Sequence, residues 1–172
     1  TTAIATYAVV TGLTLQTGTT YYAKVSAISQ SLVSGNFSNV SNGILVDTTP
    51  ALSFNVYGGT TTAGQSLPSI DNSGALSANW DVAVDSESRV LEYYYGIWKN
   101  IKSGEPNVSS WQVNDPVLKT SATVIVPLEN NTTYYFGIKA KNGAGLYSSV
   151  QYSGGIRVES SSPPVILSLS DK

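Results

Sequence analysis

Leu128-Glu129-Asn130-Asn131-Thr132-Thr133-Tyr134-Tyr135 runs directly into Phe136-Gly137-Ile138-Lys139-Ala140-Lys141, and this stretch decides the fold. The Asn130-Asn131 pair is a turn signal. Beyond it, a run rich in β-branched and aromatic residues keeps a period of two, which predicts a strand over Thr133–Lys141 with one face in a core. Almost the same stretch occurs earlier as Leu15-Gln16-Thr17-Gly18-Thr19-Thr20-Tyr21-Tyr22, at an offset of 113, and Val25 and Ala27 stand at that same offset from Ile138 and Ala140. Downstream, Gly43-Ile44-Leu45-Val46-Asp47 corresponds to Gly155-Ile156-Arg157-Val158-Glu159, and Thr48-Thr49-Pro50 to residues 160–163. The chain therefore carries two copies of one unit, and the period matches a β-sandwich domain of about 100 residues.

Outward from the repeat, the first copy offers a strand at Thr20–Ser29. The second offers Leu52–Tyr57, Ala75–Val84, Val90–Lys99, Ser110–Val113, Thr123–Leu128 and Leu146–Val158. Turn clusters bound these runs, and no stretch has the 3.6-residue period of an amphipathic helix. The fold class is all-β, an immunoglobulin-like sandwich. One complete unit covers 51–159, preceded by the last strands of a partial unit over 1–47 and a linker at 48–50. Residues 160–172, with Pro163 and Pro164 ahead of Val165–Leu169, read as a second linker and the first strand of a following unit. With no methionine and no signal-peptide pattern at its start, the chain reads as an internal or mature piece of an exported protein.

Leu128, Thr132, Tyr134, Ile138, Ala140, Asn142 and Gly145, with Trp80 and, in the first copy, Leu15, Thr19, Tyr21, Val25 and Ala27, form a pattern that resembles fibronectin type III modules. The likeness is to modules of bacterial surface proteins that end in a Gly-Ile-x-Val-Asp-x-x-Pro linker. The first copy departs from the pattern after Ala27, where Ile28-Ser29-Gln30 replaces the asparagine. The resemblance implies two sheets face to face, with Trp80 between them and its indole N–H paired at the rim. It implies that Tyr21 and Tyr134 each hydrogen-bond to the preceding corner, and that Leu128, Ile138 and Ala140 help to fill the core. It also implies a non-enzymatic, extracellular protein.

Composition removes whole function classes. Of 172 residues only 12% are charged, the net charge is -2, and the nine basic residues never form a run, so neither nucleic acid nor a membrane surface is an expected partner. No apolar run approaches the roughly 20 residues that span a bilayer as a helix. Cysteine and histidine are both absent, which excludes disulfides, thiolate metal sites and the Ser-His-Asp and Cys-His nucleophile systems. Of the carboxylates Asp81, Asp85, Glu87 and Glu92, the first three fall on a strand end and loop exposed to water, where nothing raises a pKa for general-acid work. The expectation is therefore no enzyme and no cofactor.

Two binding chemistries stay open. Asp81, Asp85 and Glu87 supply the oxygens that calcium takes, although a loop of this kind more often caps its own turn. Tyr93, Tyr95, Trp98 and Trp111 are candidates for a carbohydrate-stacking face, set against the plainer role of cross-strand packing. The leading expectation is a structural or adhesive link in a surface stalk, fibre or adhesin. Its partner would be another protein, or a second copy through open sheet edges. The partial first unit is either cut from a longer array, the simpler account, or completed by strands of a neighbouring chain, with Val165–Leu169 as the natural donor. The rival is a carbohydrate-binding accessory module of a secreted polysaccharide-degrading enzyme.

Overall fold

The computed structural model describes residues 7–59, 66–67, 69–71 and 74–159. Val165–Leu169 and the linker ahead of it lie outside the described residues. The chain divides between Thr49 and Pro50 into two compact units. Among the described residues every element is a β-strand.

The first unit is a broken hairpin. β1 (Thr20–Tyr21) pairs antiparallel with β4 (Ile44–Leu45), and β2 (Ser26–Ile28) with β3 (Ser34–Phe37). Between the two ladders, serine hydroxyls substitute for backbone acceptors. Ala23 N–H donates to Ser41 Oγ at 3.0 Å and Val25 N–H to Ser38 Oγ at 3.2 Å, while Ser41 N–H and Ser38 N–H return bonds to the carbonyls of Ala23 and Val25. The strand predicted over Thr20–Ser29 is thus one path interrupted at its centre.

The second unit has two sheets. β5 (Val56–Gly58), β7 (Ala75–Trp80) and β10 (Ser121–Ile125) form a three-stranded antiparallel sheet in the order β10-β7-β5. β6 (Ser69–Asp71), β8 (Val90–Lys99), β9 (Ser109–Val113), β11 (Thr133–Asn142), β12 (Gln151–Tyr152) and β13 (Ile156–Glu159) form the other, ordered β6-β13-β11-β8-β9, with β12 also on β11. All pairs are antiparallel except β13 with β6.

Period-two alternation sends Leu76, Ala78 and Trp80 of β7 inward against Tyr134, Phe136, Ile138 and Ala140 of β11 and Tyr93 and Ile97 of β8. The β8–β11 register sets Ile97 opposite Phe136, Tyr95 opposite Ile138 and Tyr93 opposite Ala140. These residues make a β-sandwich core whose largest members are almost fully buried.

Several boundaries differ from the sequence reading. The strand expected over Ala75–Val84 stops at Trp80, and Val82 and Val84 project into solvent. The segment turns there because Ala83 N–H donates to the buried Tyr93 hydroxyl at 2.8 Å. The strand expected over Leu146–Val158 is split. Ser148 Oγ and Ser153 Oγ accept the N–H groups of Ala140 and Phe136, each at 3.0 Å, which displaces the regular ladder. The short parallel strand β6 has no alternation to announce it. Trp80 is buried in the core, but among the described residues its indole N–H has no partner, contrary to the rim pairing expected of it.

Candidate functional site

Alternation along β8 separates the four aromatic candidates. Tyr93 and Tyr95 lie on the core side, where Tyr93 is 1% exposed and packs edge-on against Phe54 and Trp80, with centroids 5.9 and 5.6 Å away, and Tyr95 leans on Phe136. Burial pushes the Tyr93 phenol above its ordinary value, and the hydrogen bond from Ala83 N–H opposes that shift. Trp98 lies on the outer side with Tyr94, as strand alternation requires. The four rings cannot line one platform.

Nor is Trp98 an open stacking surface. It is 0% exposed although it lies outside the sandwich core. Its ring sits between Trp111 and Tyr152, at centroid distances of 5.3 and 5.2 Å, and its Nε1–H donates to the Gly104 carbonyl at 3.2 Å. Two glycines beneath it make room. A Cβ on Gly137 would stand 2.5 Å from Trp98 Cζ3, and one on Gly96 would stand 2.6 Å from Pro106 Cγ and 3.2 Å from Trp98 Cζ3. The outer face thus carries a second, smaller core that pins the 101–108 loop to the sheet.

Trp111 is the half-buried rim of that core. Its Nε1–H donates to Glu105 Oε2 at 3.1 Å, and Lys139 Nζ lies 4.1 Å from its ring centroid and 4.7 Å from that of Tyr147. Such contacts are cation–π attractions. Beside them, the Tyr94 hydroxyl donates to Glu92 Oε2 at 2.8 Å and Lys141 Nζ to the same oxygen at 3.2 Å. The Tyr94 hydrogen bond, then Lys141, hold the Glu92 carboxyl below its usual range. The same bond to Glu92, then one with Tyr147, raise the Tyr94 phenol. The exposed-looking rings are occupied with one another and with lysine.

The acidic residues are likewise not gathered. Asp85 Oδ1 accepts from Ser88 N–H at 2.8 Å and Arg89 N–H at 3.0 Å, and its Oδ2 accepts from Asn142 Nδ2 at 3.0 Å. This is a turn cap tied to the end of β11, and Arg89 takes the positive φ of 65° that the turn demands. Asp81 instead accepts from Asn55 Nδ2 and the Tyr57 hydroxyl, and Glu87 from Ser86. Among the described residues no group of three or more acidic side chains is placed to hold a metal ion. An open groove of about 330 Å³ beside this loop is lined mostly by Val82, Val84, Val90 and Leu118. Its one carboxylate, Asp85, is bonded through both oxygens, so no acid–base pair faces the groove.

The two units share a frame, bond for bond. Gln16 N–H donates to the Tyr21 hydroxyl at 3.0 Å, and Glu129 N–H to the Tyr134 hydroxyl at 3.0 Å. Gly18 N–H bonds Val46 O as Asn131 N–H bonds Val158 O, and the return bonds Val46 N–H to Thr19 O and Val158 N–H to Thr132 O also correspond. Gly43 lies under Thr20 and Tyr22 as Gly155 lies under Thr133 and Tyr135, and a Cβ at either glycine would come within 2.6–2.8 Å of the threonine methyl. Ser41 serves Ala23 as Ser153 serves Phe136. These serines went unremarked in the sequence, although both stand two residues before the repeated glycine. Compared with known proteins, the chain matches no family model and no curated protein sequence.

Proposed function

We propose that the chain is a non-enzymatic link in an extracellular structural or adhesive array built from fibronectin type III modules. The observation that supports this is the repeated frame of hydrogen-bonded tyrosine, paired ladder bonds and strand glycine at the same place in both units. Repetition of a scaffold without repetition of any reactive group is what a spacer requires.

The second unit suits load. β5, near its start, belongs to the three-stranded sheet, and β13, near its end, belongs to the other. Tension applied through the two ends therefore acts across both sheets. At the end of the first unit, Asp47 Oδ1 accepts from Thr49 N–H at 2.9 Å, and Pro50 fixes its own φ and restricts the residue before it.

The rival carbohydrate-binding reading needs exposed coplanar rings, and Tyr93 and Trp98 are enclosed on opposite faces. The test is single-molecule pulling on the full chain between handles. The second unit is expected to open in one all-or-none event that releases roughly 30–40 nm of polypeptide. Gradual lengthening at low force would refute the load-bearing role. Saturable binding to a polysaccharide, lost in Trp111→Ala, would favour the rival.

A further inference from the structure

Asn142 closes β11, is 1% exposed, and is followed by Gly143. In an Asn-Gly pair the glycine brings no side chain of its own to block its peptide nitrogen from the asparagine amide, so this dipeptide rearranges more readily than others. The fold uses both residues. Asn142 Oδ1 accepts from Ala144 N–H at 3.1 Å and Leu146 N–H at 2.8 Å, and so makes the turn that leaves β11. A Cβ at Gly143 would stand 2.5 Å from the Ser88 carbonyl oxygen. The same corner engages the atoms that would react. Asn142 Nδ2 donates to Asp85 Oδ2 at 3.0 Å, and Gly143 N–H donates to the Arg89 carbonyl at 3.0 Å. Arg89 is itself placed by Asp85, whose Oδ1 accepts its N–H at 3.0 Å. One carboxylate thus restrains the leaving group directly and the nucleophile through the turn.

We propose that Asn142 is a latent deamidation site guarded by the Asp85 turn, at which opening of this corner leaves a permanent chemical mark. Once the corner opens, the Gly143 nitrogen gives its proton to water or hydroxide and bonds to Asn142 Cγ. The Cγ–Nδ2 bond breaks, and Nδ2 takes a proton from solvent and leaves as ammonia, which yields a succinimide. Water then opens the ring at either carbonyl to give aspartate or isoaspartate. The net change is one water consumed and one ammonia released, with no oxidation or reduction. The product resists reclosing. Aspartate sets a second carboxylate where Asp85 Oδ2 had a donor 3.0 Å away, and like charges so placed repel. Isoaspartate adds a methylene to the main chain beside the close approach of Gly143 to Ser88. This goes beyond the module reading and rests on the geometry of the corner alone.

The test is peptide mapping of the full chain by mass spectrometry during incubation at mildly alkaline pH, with isoaspartate counted by enzymatic methylation. A synthetic peptide of residues 139–146 gives the unguarded rate. Asn142 in the folded chain should react at least about tenfold more slowly than in the peptide, and Asp85→Ala should raise its rate by roughly 10- to 100-fold. Urea below the unfolding midpoint should also speed Asn142, because it populates local opening. That arm decides the matter where Asp85→Ala fails to fold. A rate in the folded parent equal to the peptide's, or one that urea below the midpoint does not raise, overturns the proposal. So does an unchanged rate in a folded Asp85→Ala chain. Asn142→Asp, which carries the aspartate product, should unfold at a lower urea concentration than the parent, and an equal midpoint overturns the claim that the mark keeps the corner open. None of these readouts is the pulling result on the second unit, so the two readings fail separately.

Discussion

Gly137→Ala tests the outer core directly. The new methyl would lie 2.5 Å from Trp98 Cζ3, 2.8 Å from Cη2 and 3.0 Å from Val150 Cγ1, whereas carbon atoms prefer about 3.5–4.0 Å. Trp98 is held by Gly104, Trp111 and Tyr152 and has no free space to enter. Overpacking of this kind costs about 1–3 kcal/mol. Gly137 has no positive φ, so alanine fits its backbone, and the loss of freedom in the unfolded chain works the other way by about 0.4–1 kcal/mol. The net effect in the parent is destabilising. In a Trp98→Ala background the ring is gone and only the 3.0 Å approach to Val150 Cγ1 still opposes the gain in the unfolded chain, so the same substitution should cost clearly less than it does in the parent. Trp98→Ala itself costs about 3–5 kcal/mol, within the roughly 5–15 kcal/mol typical of a folded domain. Equilibrium urea unfolding of the four proteins, followed by far-ultraviolet circular dichroism, closes the cycle. Equal effects of Gly137→Ala in the two backgrounds would refute the claim that Trp98 is what the methyl meets.

Asp85→Ala removes the acceptor of Ser88 N–H, Arg89 N–H and Asn142 Nδ2, and should lower stability by about 1–3 kcal/mol, equally with and without millimolar calcium. Thermal melts of parent and variant read this, and a calcium-dependent rise in the parent that the variant lacks would make the loop a metal site. Stability should be flat from about pH 5 to about pH 9, because the chain has no histidine to titrate there. Below that window it should fall. The Glu92 carboxyl is lowered in the folded protein, so its contribution is present above the unfolded pKa and disappears as pH drops through the folded one. Above the window it should fall again, since the raised phenols of Tyr93, Tyr94 and Tyr152 contribute fully below the ordinary phenol value and lose that contribution as pH rises through their folded values. Urea midpoints measured from pH 3 to pH 11 check both limbs, and Tyr93→Phe should weaken the alkaline one.

What could be read in advance follows from what periodicity encodes. Val90–Lys99 alternates so strongly that its limits match β8, and the run from Thr133 matches β11 to within one residue. Along β8 the same alternation puts Trp98 on one face with Tyr94 and Gly96. It could not tell that the face was covered, because the 101–108 loop docks through Pro106 and the Gly104 carbonyl, neither of which belongs to a periodic pattern. The end of β7 at Trp80 depends on the Tyr93 hydroxyl of the following strand, and β6 on a parallel neighbour far along the chain. For the candidate sites, residue type announced oxygen donors and rings. Their use, with Asp85 spent on a turn and Trp111 on Lys139, is a matter of three-dimensional proximity.

The serine acceptors bear on how a repetitive chain avoids tangling with itself. Neighbouring units of like sequence invite strand exchange during folding, because each hairpin can mistake the other's strand for its own. Ser38 and Ser41 are three residues apart, whereas Ser148 and Ser153 are five apart, and in each unit both hydroxyls meet N–H groups of the adjoining strand path. A segment of one unit laid on the strand path of the other would not reproduce its own pair of bonds, because the donors stand two residues apart in the first unit, at Ala23 and Val25, and four apart in the second, at Phe136 and Ala140.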